Sequence, residues 1–222
     1  MSNGFFENEL AGLRTDVIRM GRAAELQVEQ AAGALIEGRA ALASEVIQKD
    51  REINDMENVI TDRAILMIAT RQPVARDLRF LTSCLRLATE MERVGDQASN
   101  IGRRALELIN CDCSQPLPEK IKQMIMEVRS MLEKSLNALA KDDDVLSKEV
   151  LEQDDRVDNL NREIREEIMA LMSADGKKVP WGLTIINAAS NLERLGDHAT
   201  NLAEEVIFMV RGHNVRHQPE ML

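Results

Sequence analysis

The sequence predicts an all-α protein of six long helices, and three observations carry that reading: a composition of helix formers, a scarcity of chain breakers, and two segments that each occur twice. Only 2 % of the 222 residues are aromatic, with no Tyr, one Trp and four Phe, while Ala, Leu, Met, Glu and Arg are plentiful. These are strong helix formers and poor strand formers. A hydrophobic content of 44 % is enough for a real core, so disorder is not the default.

Each element follows from where the breakers fall. The first periodic segment, residues 5–37, runs to Gly38; the second, 40–70, stops before the Gln72-Pro73 step; the third, 75–110, ends at the stretch from Cys111 to Pro118. Pro118 is placed to open the fourth segment, 118–140, because its missing N–H and fixed φ suit the start of a helix. Asp142, Asp143 and Asp144 separate it from the fifth, 145–173, and most simply cap that helix, where negative charge meets the positive end of the helix dipole. Gly176 to Pro180 precede the sixth, 181–211. The longer helices should reach ~45 Å at about 1.5 Å per residue.

The internal echoes set the architecture. Glu92-Arg93-Val94-Gly95-Asp96-Gln97-Ala98-Ser99-Asn100 returns as Glu193-Arg194-Leu195-Gly196-Asp197-His198-Ala199-Thr200-Asn201, offset by 101 residues. Val46-Ile47 through Asp50 and Ile53-Asn54 return as Val150-Leu151 through Asp154 and Val157-Asp158, offset by 104. A three-helix unit therefore occurs twice. The expected layout is a first three-helix bundle over 1–110, a linker over 111–117, and a second bundle over 118–222 with a short C-terminal tail. Units this small tend to share long packed faces, so one pseudo-symmetric domain is expected.

Charge and cysteine usage narrow the function classes. With 28 Lys and Arg against 38 Asp and Glu, the formal charge is −10 and the chain repels a phosphate backbone, so no nucleic-acid partner is expected. Cys84, Cys111 and Cys113 make no secretory framework, and MSNGFFENEL has neither the basic region nor the apolar core of a signal peptide. A cytoplasmic location is expected. No apolar run is long enough to span a bilayer, so any membrane association would be peripheral, through protein partners.

The candidate site lies in the echoes. Residues four apart share a helix stripe, so Glu92, Asp96 and Asn100 align, as do Glu193, Asp197 and Asn201. Leu85 and Thr89 lead into the first stripe and Ile186 and Ser190 into the second, so each carboxylate pair continues a line that begins apolar. Such acids repel, and a cation would remove the penalty. Asp50 with Asn54, and Asp154 with Asp158, stand four apart on the second helix of each unit and could form an opposing jaw. Oxygen-only ligands favour Mg²⁺, Mn²⁺ or iron over zinc. Gly95 and Gly196, just before the aspartates, imply close approach by another backbone or an ion. The alternative is that the acids form salt bridges with Arg93, Arg194 and their neighbours.

Other groups carry less. His198 is turned about 100° from the carboxylate stripe and reads as a packing or surface residue. His213 and His217 lie in the tail, and Cys111 with Cys113 lacks the second pair that a structural zinc would need. The twelve Met residues are either core filler or an adaptable docking surface. No Walker loop, nucleophile elbow or H-E-x-x-H motif is present, and the paired Glu-x-x-His of a di-iron oxidase is missing, so no catalytic residue is assigned.

RQPVARDLRFL at Arg71 to Leu81, followed by ERVGDQASN and NLERLGDHATN, closely resembles the signature of the PhoU family, and the likeness extends over essentially the whole chain. The resemblance implies two three-helix bundles in one PhoU-like domain, assembled as a homodimer. It implies a negative regulator of the phosphate-starvation response that links a phosphate ABC transporter, through its ATPase, to a membrane sensor histidine kinase. It further implies metal clusters held by the E(D)-x-x-x-D pairs, here Glu92 with Asp96 and Glu193 with Asp197, and secondarily Asp50 with Asn54 and Asp154 with Asp158. Three departures matter: Asn54 stands where an acid is expected, the fourth helix opens with PEKIKQMIMEV and carries no strong family landmark, and the second copy has KKVPWG in place of RQPVARDLR. An adaptor that uses its acids for docking without metal, and a metal-dependent enzyme, are the competing readings.

Overall fold

The computed structural model describes residues 2–111 and 115–212, and these contain six long helices and no strand. They are α1 (Ser2–Glu37), α2 (Ala40–Arg71), α3 (Ala75–Ile109), α4 (Glu119–Lys141), α5 (Asp144–Ala174) and α6 (Val179–Arg211), with a single 3-10 turn, Gly176–Lys178, before α6. The expected segments are all present. Cys113, His213 and His217 lie outside the described residues.

The boundaries differ where local chemistry decides them. Pro118 stands at the N-cap of α4, one position earlier than a first helical residue, and its carbonyl accepts from the Ile121 N–H at 3.1 Å. Helix α6 starts at Val179, before Pro180, because the first turn has no intrahelical use for the missing N–H. The three aspartates have three different tasks. Asp142 ends α4 in the left-handed conformation (φ 53°) and pairs with Arg14 at 2.6 Å, and Asp144 pairs with Arg211. Asp143 alone caps α5, accepting from Val145 N at 3.1 Å and Leu146 N at 3.0 Å. Asp143→Ala is expected to cost about 1 kcal/mol, read as a lower urea midpoint with an unchanged slope.

Helix α3 packs on α2 and α6, and α6 on α5, which sets four helices side by side in the order α2, α3, α6, α5. Helices α1 and α4 lie across this layer and meet each other. A continuous core joins both halves, with Leu13, Met20, Met91, Ile101, Met124 and Met131 almost fully enclosed. Methionine therefore serves mainly as core filler, although Met126 and Met169 face outward at 62 % and 59 % exposure. Cys84 is part of this core, and burial pushes its thiol up to about 12, so it is an inert packing group. Among the described residues no helix is long and apolar enough to cross a membrane.

Candidate functional site

Two acidic seams lie on the four-helix layer, one where α2 packs on α3, the other where α5 packs on α6. In the first, the Ser99 hydroxyl donates to Asp50 Oδ1 at 2.9 Å and marks the antiparallel register. Ser99 in turn accepts from the amide of Gln27, which is only 3 % exposed and also donates to the Val46 carbonyl at 3.1 Å. A Cβ on Gly95 would stand 3.1 Å from Gln27 Oε1 and 3.3 Å from Ile53 Cγ2. The close approach at this glycine is thus made by side chains of α1 and α2, rather than by a backbone.

That register sets Glu57 level with Glu92, and this is the acid that motif spacing missed. Asn54 lacks a charge, but Glu57 restores one a turn later on the same half-buried side of α2. Its signal was available as the seventh residue after Asp50. Burial, and then repulsion from Asp96, Glu57 and Asp50, raises the Glu92 pKa; burial and Asp50 raise that of Asp96. Asn54 Oδ1 is buried without a hydrogen bond.

In the second cleft the acid on the facing helix is more strongly perturbed. Gly196 leaves room for Val157 and Asp154, whose Cγ1 and Oδ1 lie 3.4 and 3.9 Å from where a Cβ would stand, which is ordinary contact. Burial, followed by repulsion from Asp158, Asp197, Asp155 and Glu193, pushes Asp154 from 3.8 up to about 6. Its Oδ1 is buried with no hydrogen bond. Asp197 is raised by burial and by Glu193 and Asp158. The position matching Glu57 is Asn161, whose Oδ1 accepts from Arg165 Nε at 3.3 Å. Each cleft thus has four acids, the fourth displaced by a turn between copies.

The salt-bridge alternative does not describe these acids. Among the described residues none of Glu92, Asp96, Glu193, Asp197, Asp154 and Asp158 forms an ion pair, and Arg93 turns to Glu90 instead, at 3.8 Å. Nor do the side chains converge as they stand: among the described residues, no three His, Cys, Asp or Glu groups are placed to hold a metal ion together. The donor set still suits a hard cation, with oxygen ligands, mutual repulsion and orphaned oxygens on Asp154 and Asn54.

The asparagines face elsewhere. Asn100 accepts from Arg103 at 2.5 Å, while Asn201 crosses to α3 and donates to Glu90 Oε2 at 3.1 Å. His198 Nδ1 meets the same carboxylate at 2.9 Å, in the packing role that its position predicts. Burial opposes the Glu90 carboxylate, but the bonds from His198 and Asn201, with the charges of His198 and Arg93, outweigh it and hold its pKa below the usual range. The symmetry-related contact joins Asn191 Nδ2 to Gln97 Oε1 at 3.1 Å, so the α3–α6 seam is charged on one side of the pseudo-two-fold and neutral on the other.

A profile of the PhoU domain matches this sequence over residues 17–105 and again over 121–206, one match in each half. The chain belongs to the PhoU family. Similar PhoU proteins include the phosphate-specific transport system accessory protein PhoU homolog of Pseudomonas aeruginosa, 37 % identical over 212 residues, covering 96 % of this chain and 88 % of the relative. The phosphate-specific transport system accessory protein PhoU of Escherichia coli K12 is 34 % identical over 215 residues, covering 97 % and 89 %. The crystal structure of PhoU from P. aeruginosa superposes with a TM-score of 0.91 at 36 % identity, covering 94 % of this chain and 100 % of that one. That of the phosphate transport system regulatory protein PhoU from Streptococcus pneumoniae gives 0.88 at 26 % identity, over 95 % and 99 %.

Proposed function

We propose that the chain is a negative regulator of the phosphate-starvation response, an adaptor without catalytic activity that couples a phosphate ABC transporter to a sensor histidine kinase and so controls phosphate uptake. The observation that carries this reading is near full-length similarity, 37 % identity over 96 % of the chain, to a protein named for its accessory role in phosphate-specific transport. It acts in the cytoplasm, reaching the inner face of the membrane through its partners.

The clefts are its cation sites. Glu92 and Asp96 with Asp50, Glu57 and the Asn54 amide oxygen would hold one ion, and Glu193 and Asp197 with Asp154 and Asp158 another. Iron, Mg²⁺ or Mn²⁺ fits oxygen donors of this kind, and the bound ion would neutralise carboxylates that otherwise repel across each cleft.

Deleting the gene is expected to derepress phosphate-starvation genes in high phosphate. Transcript levels and phosphate uptake measured in the deletion strain test this. If both match the parent strain, the regulatory reading fails.

A further inference from the structure

The RQPVARD segment has no part in either cleft, yet its conformation is unusual. Gln72 and Ala75 both adopt positive φ, 50° and 45°, on either side of Pro73 and Val74. For Gln72 the left-handed conformation ends α2 in the ordinary way, its N–H bonding to the Ile68 carbonyl. No such role explains Ala75, the first residue of α3, where a Cβ makes the left-handed region unfavourable. Between them Val74 is 74 % exposed, more than any other large hydrophobic residue described, and Leu78 follows one turn later at 38 %.

The second copy shows that topology does not require this. Its α5–α6 connection has no described residue of positive φ, is closed by Asp175 accepting from the Lys177 N–H, and buries Trp181 to 4 % exposure. Val179, beside Pro180 in the second connection, is 37 % exposed, against 74 % for Val74 beside Pro73 in the first.

Charge identifies what would cover the displayed side chain. Arg71 is engaged by Glu9 at 2.9 Å, and Asp77 occupies the first turn of α3, where the helix dipole favours a carboxylate. Arg76 is exposed and makes no ion pair or hydrogen bond among the described residues, and Arg79 Nε is buried without a partner. The unmatched charge beside Val74 is therefore positive, on a chain whose net charge is −10.

We propose that the α2–α3 turn, with Val74 at its tip and Arg76 beside it, is the surface by which this protein docks onto its protein partner, through a segment carrying a carboxylate next to an apolar side chain. The inference rests on the adaptor reading and adds to it the docking surface and the chemistry of the contact. Val74 supplies the desolvated anchor and Arg76 the charge that sets orientation and association rate.

Val74→Asp and Arg76→Glu test it, with Met169→Asp on α5, 59 % exposed, as a control. Biolayer interferometry of the full chain against the purified transporter ATPase and the cytosolic part of the kinase, at low and moderate salt, is the readout. Melting temperatures should match wild type, since both side chains are exposed. Each tip variant should bind at least one partner about tenfold or more weakly, with the control unchanged and the Arg76→Glu variant less sensitive to salt. Wild-type binding that the tip variants retain in full overturns the inference and leaves the adaptor reading standing. Wild-type binding to neither protein overturns both. If the tip variants alter only self-association, measured by light scattering, the surface belongs to a second copy and the inference falls.

Discussion

Replacing Asp154 with Asn, in protein stripped of metal by a chelator, is expected to raise the melting temperature at pH 7.5 and to leave it almost unchanged near pH 4. The carboxyl ionises near 3.8 in the unfolded chain and near 6 in the fold, where burial and then four neighbouring acids oppose its charge. Between those values the folded state holds the extra proton, so stability falls as pH rises through the window and the penalty is complete above it. After allowance for partial solvent exposure the penalty is on the order of 2 kcal/mol. For a chain of this size that corresponds to about 4–8 °C. Circular dichroism melts at the two pH values measure it. An equal shift at both would place the effect in packing, and no shift at pH 7.5 would mean that the cleft already relieves the charge. With a bound cation the order should reverse, because the carboxylate becomes a ligand.

The Asp96→Ala, Asp197→Ala double variant removes one acid from each cleft and should lose metal altogether while remaining helical. Dialysed protein, prepared without a His-tag, should carry molar equivalents of metal in the wild type and background levels in the variant. A cation at a hundred times its Kd stabilises the wild type by about 2.7 kcal/mol, and the variant should show none of that gain. Free carboxylates would predict that affinity collapses near pH 4, but Asp154 must shed its proton first, so binding should weaken as pH falls through about 6. Equal metal content and equal thermal shifts in the two proteins would make the acids docking residues. Family membership, which rests on the whole chain, would be unaffected.

The helices and the duplication were legible because they are written in local spacing. Breakers at Gly38, Gln72-Pro73 and Gly176 to Pro180 mark the ends, and Glu92 and Glu193 announce the repeat. What spacing could not supply was pairing between helices. Glu57 belongs to the first cleft because α2 and α3 pack antiparallel in the register that the Ser99–Asp50 bond marks. Gln27 looks like an ordinary residue of α1, yet its amide is the buried end of the chain of bonds that positions Asp50. Asn201 shares a stripe with Asp197 but donates across to Glu90, a direction that four-residue periodicity cannot reveal. The aspartate run looked like one cap because its members are adjacent; the left-handed turn at Asp142 divides them between two helices.

The unequal α3–α6 seam makes the two halves of the chain complementary rather than interchangeable. Were the first half to dock on a copy of itself in the same geometry, each Glu90 would meet Gln97, and two largely buried carboxylates would lose the imidazole that now faces one of them. A self-paired second half would set Asn191 against His198 twice, with no acid to answer either ring. Only the mixed arrangement sets an imidazole against the buried Glu90 carboxylate. The acid stands on one half and the ring that answers it on the other, so the seam favours the pairing of unlike halves over the pairing of like ones.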